Sequence, residues 1–249
     1  MRSANALEYA VALGTACAAE IDVLHVWHSD LATPVMVARD RAKSALREFV
    51  AKLGLRGDVV LRRRTDHGDP YLTISRLAQP SGYDLLVVAG PEASRANSES
   101  VARGLLASAA GAVLFVPAHC KARLRSDADR ALTVERSLVP LALAGGELQA
   151  LLQAEALGQR EGAMVEVLLG PDVPPETLAR FRDRPKLPHT EELMVTEESA
   201  LATPKRVQAS RFDLVIMAGK RAGLGERTGD ARLERVALSV PCPSLCLPG

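Results

Sequence analysis

The sequence contains few aromatic residues, only 3% of its 249 positions, so its core must consist mainly of alanine, valine, leucine and isoleucine. It has no apolar run near the ~20 residues that a membrane-spanning helix requires. The first ten residues, MRSANALEYA, have no apolar segment of the kind found in secretory signal peptides. These absences predict a cytoplasmic protein with no membrane segment.

The sequence also lacks an excess of charge and a cysteine-rich pattern. Its formal net charge of +1 gives no reason to expect a nucleic-acid or membrane-surface partner. The four cysteines, Cys17, Cys120, Cys242 and Cys246, are expected to be reduced and structural in the cytoplasm. Cys242 and Cys246 are four residues apart, but no second pair completes a zinc site. We therefore predict no nucleic-acid partner and no metal.

Two distant segments of the sequence resemble each other. ALEYAVALGTACAAEIDVL (residues 6–24) and ALLQAEALGQREGAMVEVL (residues 150–168) share nine of nineteen residues without a gap. Helix preference explains matched alanines and leucines, but it does not explain the matched pair Gly14 and Gly158, each followed by a strand start. The similarity therefore indicates an internal repeat.

A second matched pair supports the repeat. YDLLVVAG (residues 83–90) recurs as FDLVIMAG (residues 212–219). We interpret the chain as two tandem domains, residues 1–120 and residues 121–249. The charged, apolar-poor residues 119–131 are the predicted linker.

Helices and strands are predicted to alternate in both copies. The first copy reads as helix 4–17, strand 21–26, helix 35–53, strand 58–65, a helix from Pro70 that Asp69 caps, strand 83–89, helix 100–110 and strand 112–117. The second reads as strand 137–143, helix to 159, strand 164–169, a proline-rich connector 171–188, strand 192–196, helix 202–210, strand 212–218, helix to 240 and strand 243–248. Such alternation predicts an α/β fold with doubly wound parallel sheets.

One strand of the second copy has no partner in the first. The counterpart of strand 137–143 would precede Met1. In a doubly wound sheet the first strand is central, so we predict a gap in the middle of the first copy's sheet. We expect that the sequence is a fragment, or that its start was assigned too late.

The order and spacing of these motifs resemble the universal stress protein family. The resemblance rests on SANALEYAVAL, AEIDVLHVWHSD, HGDP, YDLLVVAG and SVARGLLASAAGAVLFVPA in the first copy, and on LVPLAL, FDLVIMAG and LERVALSVPCPSLCLP in the second. It implies two five-stranded, Rossmann-like domains and a cytoplasmic stress-response or signalling role. It also implies that domains pair through their last strands, as an internal pseudo-dimer or by self-association with another molecule.

Some members of this family bind ATP through a glycine-rich loop after the fourth strand, with an acid at the end of the first strand. The resemblance therefore implies a site for ATP or another adenine nucleotide. The glycines let backbone N–H groups approach phosphate, and a helix N-terminus adds positive potential. The cofactor-binding candidates in this sequence are Gly90, Ser98, Ser100, Gly219, Gly223, Gly225 and Gly229.

Both loops depart from the family pattern. The first has Ala93 in place of the second glycine, and Glu99 would place negative charge beside a phosphate. In the second copy, Ala142 stands where the acid belongs, although Lys220 and Arg221 add positive charge. The second loop is the better candidate. The structural alternative is that the glycines end strands and that the loop serines cap a helix.

The remaining polar clusters suggest no catalysis. His25 and His28 lie three apart near a strand end and point to different faces, so they make a poor metal pair. The three arginines at residues 62–64 are typical of a solvated strand end. Because no Ser–His–Asp arrangement or P-loop motif occurs, we predict no catalytic residue and no enzyme, with weak ATPase activity as an open alternative.

Three functions remain open. The first is a stress-response or regulatory protein that acts through protein contacts, with degenerate nucleotide-binding loops. The second is a nucleotide-binding switch that uses the glycine loop of the second copy. The third is the cytoplasmic regulatory tail of a membrane transporter.

Overall fold

The computed structural model describes residues 3–29, 33–54, 59–77, 82–90, 101–106, 111–118, 120, 134–141, 146–185, 187–219 and 231–248. The helices are α1 (Ala4–Cys17), α2 (Val35–Lys52), α3 (Pro70–Leu77), α4 (residues 101–106), α5 (Glu147–Glu161), α6 (Pro175–Arg182), α7 (Ser199–Ala209) and α8 (Ala231–Ser239). The strands are β1 (Ile21–Trp27), β2 (Leu61–His67), β3 (Leu85–Ala89), β4 (Ala112–Val116), β5 (Arg136–Pro140), β6 (Met164–Leu169), β7 (Thr190–Met194), β8 (Leu214–Gly219) and β9 (Ser244–Pro248).

The strands form two sheets. Seven strands pair in the order β3-β4-β9-β8-β5-β6-β7, and β1 pairs with β2 in a separate sheet. All neighbouring strands are parallel except β4 and β9. The predicted α/β class with parallel sheets is therefore confirmed.

The last strands of the two halves pair with each other within the chain. β4 and β9 run antiparallel around the central pair Leu114 and Leu245. β3 lies on the other side of β4, and β8 lies on the other side of β9. Because each has a strand on both sides, neither is an edge strand open to another molecule.

The N-terminal half has the predicted gap in its sheet. In the C-terminal half, β5 lies between β6 and β8. The sequences that match β6 and β8 form β1 and β3, and these two strands belong to different sheets. In the part of the chain that the structure describes, no strand lies between them. α1 spans this gap, because it packs against β1 on one side and against β3 and β4 on the other.

The gap changes the burial of β3. The apolar run of residues 83–89 predicts a parallel strand buried on both faces, but every residue of β3 is only half-buried. The matching strand β8 is buried from Val215 to Gly219. The prediction of full burial is wrong because β3 has a neighbouring strand on one side alone.

Aliphatic side chains fill both faces of the seven-stranded sheet. One face packs Leu138 and Met217 against the helices α7 and α8. The other packs Val139 and Ile216 against α5, and Phe181 lies in the same cluster. Phe115 of β4 is the largest fully buried side chain, so one aromatic ring contributes to a core that is otherwise mostly aliphatic.

Two sequence predictions of local structure need correction. The proline-rich residues 171–188 contain the helix α6 rather than a plain connector, because Pro175 takes a first-turn position where a missing N–H costs nothing. β2 runs from Leu61 to His67 rather than over residues 58–65, so the three arginines lie in its first half rather than at its end. They are exposed because β2 pairs only with β1.

The predicted cap of α3 is confirmed. Asp69 Oδ1 accepts a 2.9 Å hydrogen bond from the N–H of Leu72.

Among the described residues, no helix combines the length and the apolar character that crossing a membrane requires.

Candidate functional site

The two candidate glycines lie at opposite ends of the strands of the seven-stranded sheet. Gly90 follows β3, and Gly219 ends β8. β3 is parallel to β4, β4 is antiparallel to β9, and β9 is parallel to β8. β3 and β8 therefore run in opposite directions, so Gly90 and Gly219 cannot contribute to one shared phosphate site within the chain.

The other five predicted ligands lie outside the described residues: Ser98, Ser100, Gly223, Gly225 and Gly229. So does Ala142, which stands where the family has an acid. The roles of these residues remain predictions.

Gly90 has a structural role in this geometry. Its N–H donates a 2.7 Å hydrogen bond to the carbonyl of Val116, so this amide is not free to bind a phosphate oxygen. A Cβ atom on Gly90 would lie 3.3 Å from the Cα atom of Pro117, closer than an ordinary contact. The glycine allows β3 and the chain leaving β4 to pass close together.

A cleft of about 240 Å³ lies beside Gly90. Its walls include Gln208 near the end of α7, Ser239 at the end of α8 and Pro241, and none of its lining residues is charged. Helix C-termini carry negative partial charge. This cleft is therefore a poor site for phosphate.

Gly219 lies next to the position where α/β sheets usually bind ligands. β5 continues through α5 to β6 on one side, and β8 continues through α8 to β9 on the other side. The two connections leave β5 and β8 in opposite directions, and in open α/β sheets the ligand crevice lies between the carboxyl ends of two such strands. Gly219 is buried at that end of β8.

Helix α5 begins at the same edge. Gly146 precedes it with a φ of 112°, a left-handed conformation that favours glycine, and no described side chain caps the helix there. The N–H groups of a first turn have no partners within the helix and carry positive partial charge. This end of α5 therefore favours an anion electrostatically.

Asp172 connects the starts of α7 and α8 at this edge. Its Oδ1 accepts hydrogen bonds from the N–H and Oγ of Ser199, at 2.9 and 3.0 Å. Nη1 of Arg232 lies 4.0 Å from its Oδ2. The sequence analysis missed this cluster because it places Asp172 in a plain connector, where no residue pattern marks it.

Gly170 lies so close to this cluster that there is no room for a side chain at its position. A Cβ atom on Gly170 would lie 2.7 Å from Ser199 Oγ and 2.9 Å from the Glu197 carbonyl, and it would also overlap Asp172 Oδ1. The absence of a side chain at Gly170 therefore lets Asp172 reach the amino end of α7.

The opposite edge of this half holds a buried ion-pair network. Glu166 is 4% exposed and accepts hydrogen bonds from Nε and Nη2 of Arg206, at 2.6 and 2.7 Å. Nη2 of Arg136 lies 3.3 Å from Glu166 Oε2, and the Arg136 guanidinium lies 4.9 Å from the centre of the Phe212 ring. The hydrogen bond to Glu166 raises the pKa of Arg206. Because these groups lie at the amino ends of the strands, away from the crevice, we interpret the network as structural.

The described residues form no candidate site for metal or thiol chemistry. No group of three or more histidine, cysteine or acidic side chains in those ranges is arranged to hold a metal ion. None of the four cysteines, all of which the structure describes, forms a disulfide; Cys17 is exposed, while Cys242 and Cys246 are buried. Burial raises the pKa of Cys242 to about 12, so its thiol is neutral and a weak nucleophile at ordinary pH.

Solved structures of other proteins are similar to this fold. It is similar to the crystal structure of a universal stress protein from Archaeoglobus fulgidus DSM 4304, with a TM-score of 0.69 and 16% identity over 98% of this chain and 92% of that one. It is also similar to a functionally unknown protein from Pseudomonas aeruginosa PAO1, with a TM-score of 0.61 and 14% identity over 97% and 86% of the two chains. No curated protein matches the chain in sequence. Residues 2–117 match the family model described as the universal stress protein family, so this N-terminal part of the chain is similar to that family.

Proposed function

We propose that this protein is a non-enzymatic stress-response protein, similar to the universal stress protein family, that acts through contacts with another protein. One observation carries the proposal. Val35, Met36 and Val37 occupy the first turn of α2 and are 57%, 64% and 42% exposed. Successive helical residues point about 100° apart, so three in a row cannot all face the sheet beneath. Contiguous exposed apolar surface is typical of interaction sites.

A further exposed apolar residue lies at the same edge of the β1–β2 sheet. Leu72, in the first turn of α3, is 65% exposed. Because α2 follows β1 and α3 follows β2, both helices begin at the carboxyl ends of these parallel strands. This edge therefore offers a partner apolar side chains from two helix starts.

Crosslinking followed by mass spectrometry tests the proposal. A variant with Val35, Met36 and Val37 replaced by serine should lose partners that the original protein captures. Leu152→Ser is the matched control, since Leu152 is 55% exposed but lies on α5. Circular dichroism should show that both variants fold. Partners captured equally by the triple variant would contradict the proposal.

The crevice at the carboxyl ends of β5 and β8 supports a second candidate, a nucleotide-binding switch in the C-terminal half. The observation that favours it is the start of α5 beside this crevice, where no described side chain caps the helix. The second glycine loop, with Gly223, Gly225 and Gly229, would bind ATP or another adenine nucleotide there.

Thermal unfolding with ATP, ADP and AMP distinguishes the two functions. A nucleotide at ~100 times its dissociation constant stabilises a binder by about 2.7 kcal/mol. The absence of any shift at millimolar nucleotide would exclude the switch and leave the protein-contact proposal intact. If a shift occurs, Gly223→Val should abolish it; a shift that persists places the site elsewhere.

A further inference from the structure

We propose that the outer edge of β2 in one copy of this protein pairs antiparallel with the outer edge of β7 in a second copy. This inference goes beyond the proposed function and uses a different surface from the first turn of α2. In the described ranges β2 pairs only with β1, and β7 pairs only with β6. The outer edge of each strand therefore presents N–H and C=O groups that another strand can satisfy.

A backbone hydrogen bond shows which residues of β2 point outward. The carbonyl of Val60 accepts a 2.9 Å hydrogen bond from the N–H of Ile21, so the backbone of Val60 faces β1. The direction of the backbone polar groups alternates along a strand. The N–H and C=O groups of Leu61, Arg63 and Thr65 therefore face away from β1.

The outward residues of β7 follow in the same way. The N–H of Val195 donates a 2.9 Å hydrogen bond to the carbonyl of Leu169, so the backbone of Val195 faces β6. Thr190, Glu192 and Met194 therefore face outward. In chain order, β2 presents an apolar, a basic and a hydroxyl residue, whereas β7 presents a hydroxyl, an acidic and an apolar residue.

One antiparallel register matches the two edges in apolar character, charge and hydroxyl group. Its directly opposed outward pairs are Leu61–Met194, Arg63–Glu192 and Thr65–Thr190. Pairs of apolar side chains, of opposite charges and of threonines all stabilise neighbouring strands. A parallel alignment would bring the apolar end of each edge to the threonine end of the other. The match therefore specifies the antiparallel direction.

The first two of these pairs provide most of the contact. Met194 is 63% exposed, and the side chains of Arg63 and Glu192 are exposed as well. Among the described residues Arg63 has no ion-pair partner, whereas the arginines on both sides of it have acidic partners. The N–H of Thr190 already donates to the carbonyl of Leu187, so the third pair adds fewer backbone bonds.

The charges of the two edges also select the partner. Two β2 edges would place arginines opposite arginines, and two β7 edges would place glutamates opposite glutamates. Like charges directly opposite each other destabilise strand pairing. Only unlike edges are therefore complementary. Because each joined pair of copies still has one open edge of each kind, further copies can add to form a chain or a closed ring.

Sedimentation velocity of the full chain at low salt tests the proposal. The original protein should associate as its concentration rises. Arg63→Glu and Glu192→Arg should each weaken this association about tenfold or more, because each places like charges opposite each other. An equimolar mixture of the two variants should associate again, since Arg63 of one variant can meet Glu192 of the other. Arg39→Glu is the matched control, because Arg39 is an exposed arginine of α2.

Hydrogen exchange locates the contact independently of the variants. The amides of Arg63, Glu192 and Met194 should exchange more slowly in the associated protein than in the monomer. Circular dichroism should show that all variants fold. Three results would overturn the proposal: a monomer at every concentration, a mixture of the two variants that stays monomeric, or loss of association when the exposed apolar residues 35–37 are replaced by serine.

Discussion

The phenol of Tyr83 donates a 2.6 Å hydrogen bond to Oδ2 of Asp22 and so connects the start of β3 to β1 across the gap. Nη1 of Arg64 lies 2.8 Å from the same phenol oxygen and 3.2 Å from Asp22 Oδ2. In the C-terminal half the matching pair is Phe212 and Glu166, which make no such bond because phenylalanine has no hydroxyl. Each half thus has an acid at this position, Asp22 or Glu166, but different side chains donate hydrogen bonds to the two carboxylates.

Tyr83→Phe should raise the pKa of Asp22 towards its ordinary value. The hydrogen bond from Tyr83 is the largest cause that lowers this pKa, ahead of the contribution of Arg64. A lowered pKa in the folded state gives stability that is present above the unfolded value of 3.8 and is lost as the pH falls below it. Carbon-13 NMR titration of the Asp22 carboxyl measures the change. An unchanged Asp22 pKa would show that the Tyr83 bond does not control it.

Glu166→Ala should lower the free energy of unfolding by about 3 kcal/mol, because it leaves Arg206 and Arg136 without their buried partner. Glu197→Ala is the control, since the Glu197–Lys205 pair is exposed and should contribute less than ~1 kcal/mol. Urea denaturation of the two variants measures the difference. Equal losses would mean that burial of Glu166 has no energetic consequence.

Gly170→Ala should destabilise the protein by about 1–3 kcal/mol, because the new Cβ atom would displace Asp172 and Ser199 from the start of α7. Gly111→Ala is the matched change, since the nearest atom to its Cβ would be the Tyr83 carbonyl oxygen at an ordinary 3.5 Å. Thermal unfolding should show a lower melting temperature for the first variant only. Similar melting temperatures would contradict the close fit around Gly170.

The cysteines should differ in reactivity and in their effect on alkaline stability. Cys17 is exposed and should react with Ellman's reagent first, while Cys242 and Cys246 should react only after unfolding. The folded pKa of Cys242, about 12, lies above its ordinary value of 9.0, so stability should fall as the pH rises from 9 towards 12. Cys242→Ala should reduce this alkaline loss in denaturation curves. A variant with the same loss as the original protein would assign it to other groups.

Local patterns in the sequence predicted much of the fold. The helix 4–17 agrees with α1, and the alternation of helices and strands predicted the parallel sheets. α6 escaped detection because five prolines surround or begin it, and composition does not distinguish a first-turn proline from a loop proline.

The candidate site depended on contacts that local patterns do not contain. The sequence predicted the positions of Gly90 and Gly219. They lie at opposite ends of the strands because β4 and β9 are antiparallel, with Leu114 opposite Leu245. The role of Asp213 likewise required the structure, because nothing in FDLVIMAG indicates that its carboxylate accepts hydrogen bonds from the N–H groups of Glu135 and Arg136.

The antiparallel junction of β4 and β9 also determines how the molecule could be approached by two others at once. The carboxyl ends of β3 and β8 face away from each other, separated by the length of a five-residue strand, roughly 17 Å. A molecule docked at one end therefore leaves the other unobstructed. Gly90 and Gly219 therefore lie at opposite ends of the strands, and a molecule bound beside one of them would not block access to the other.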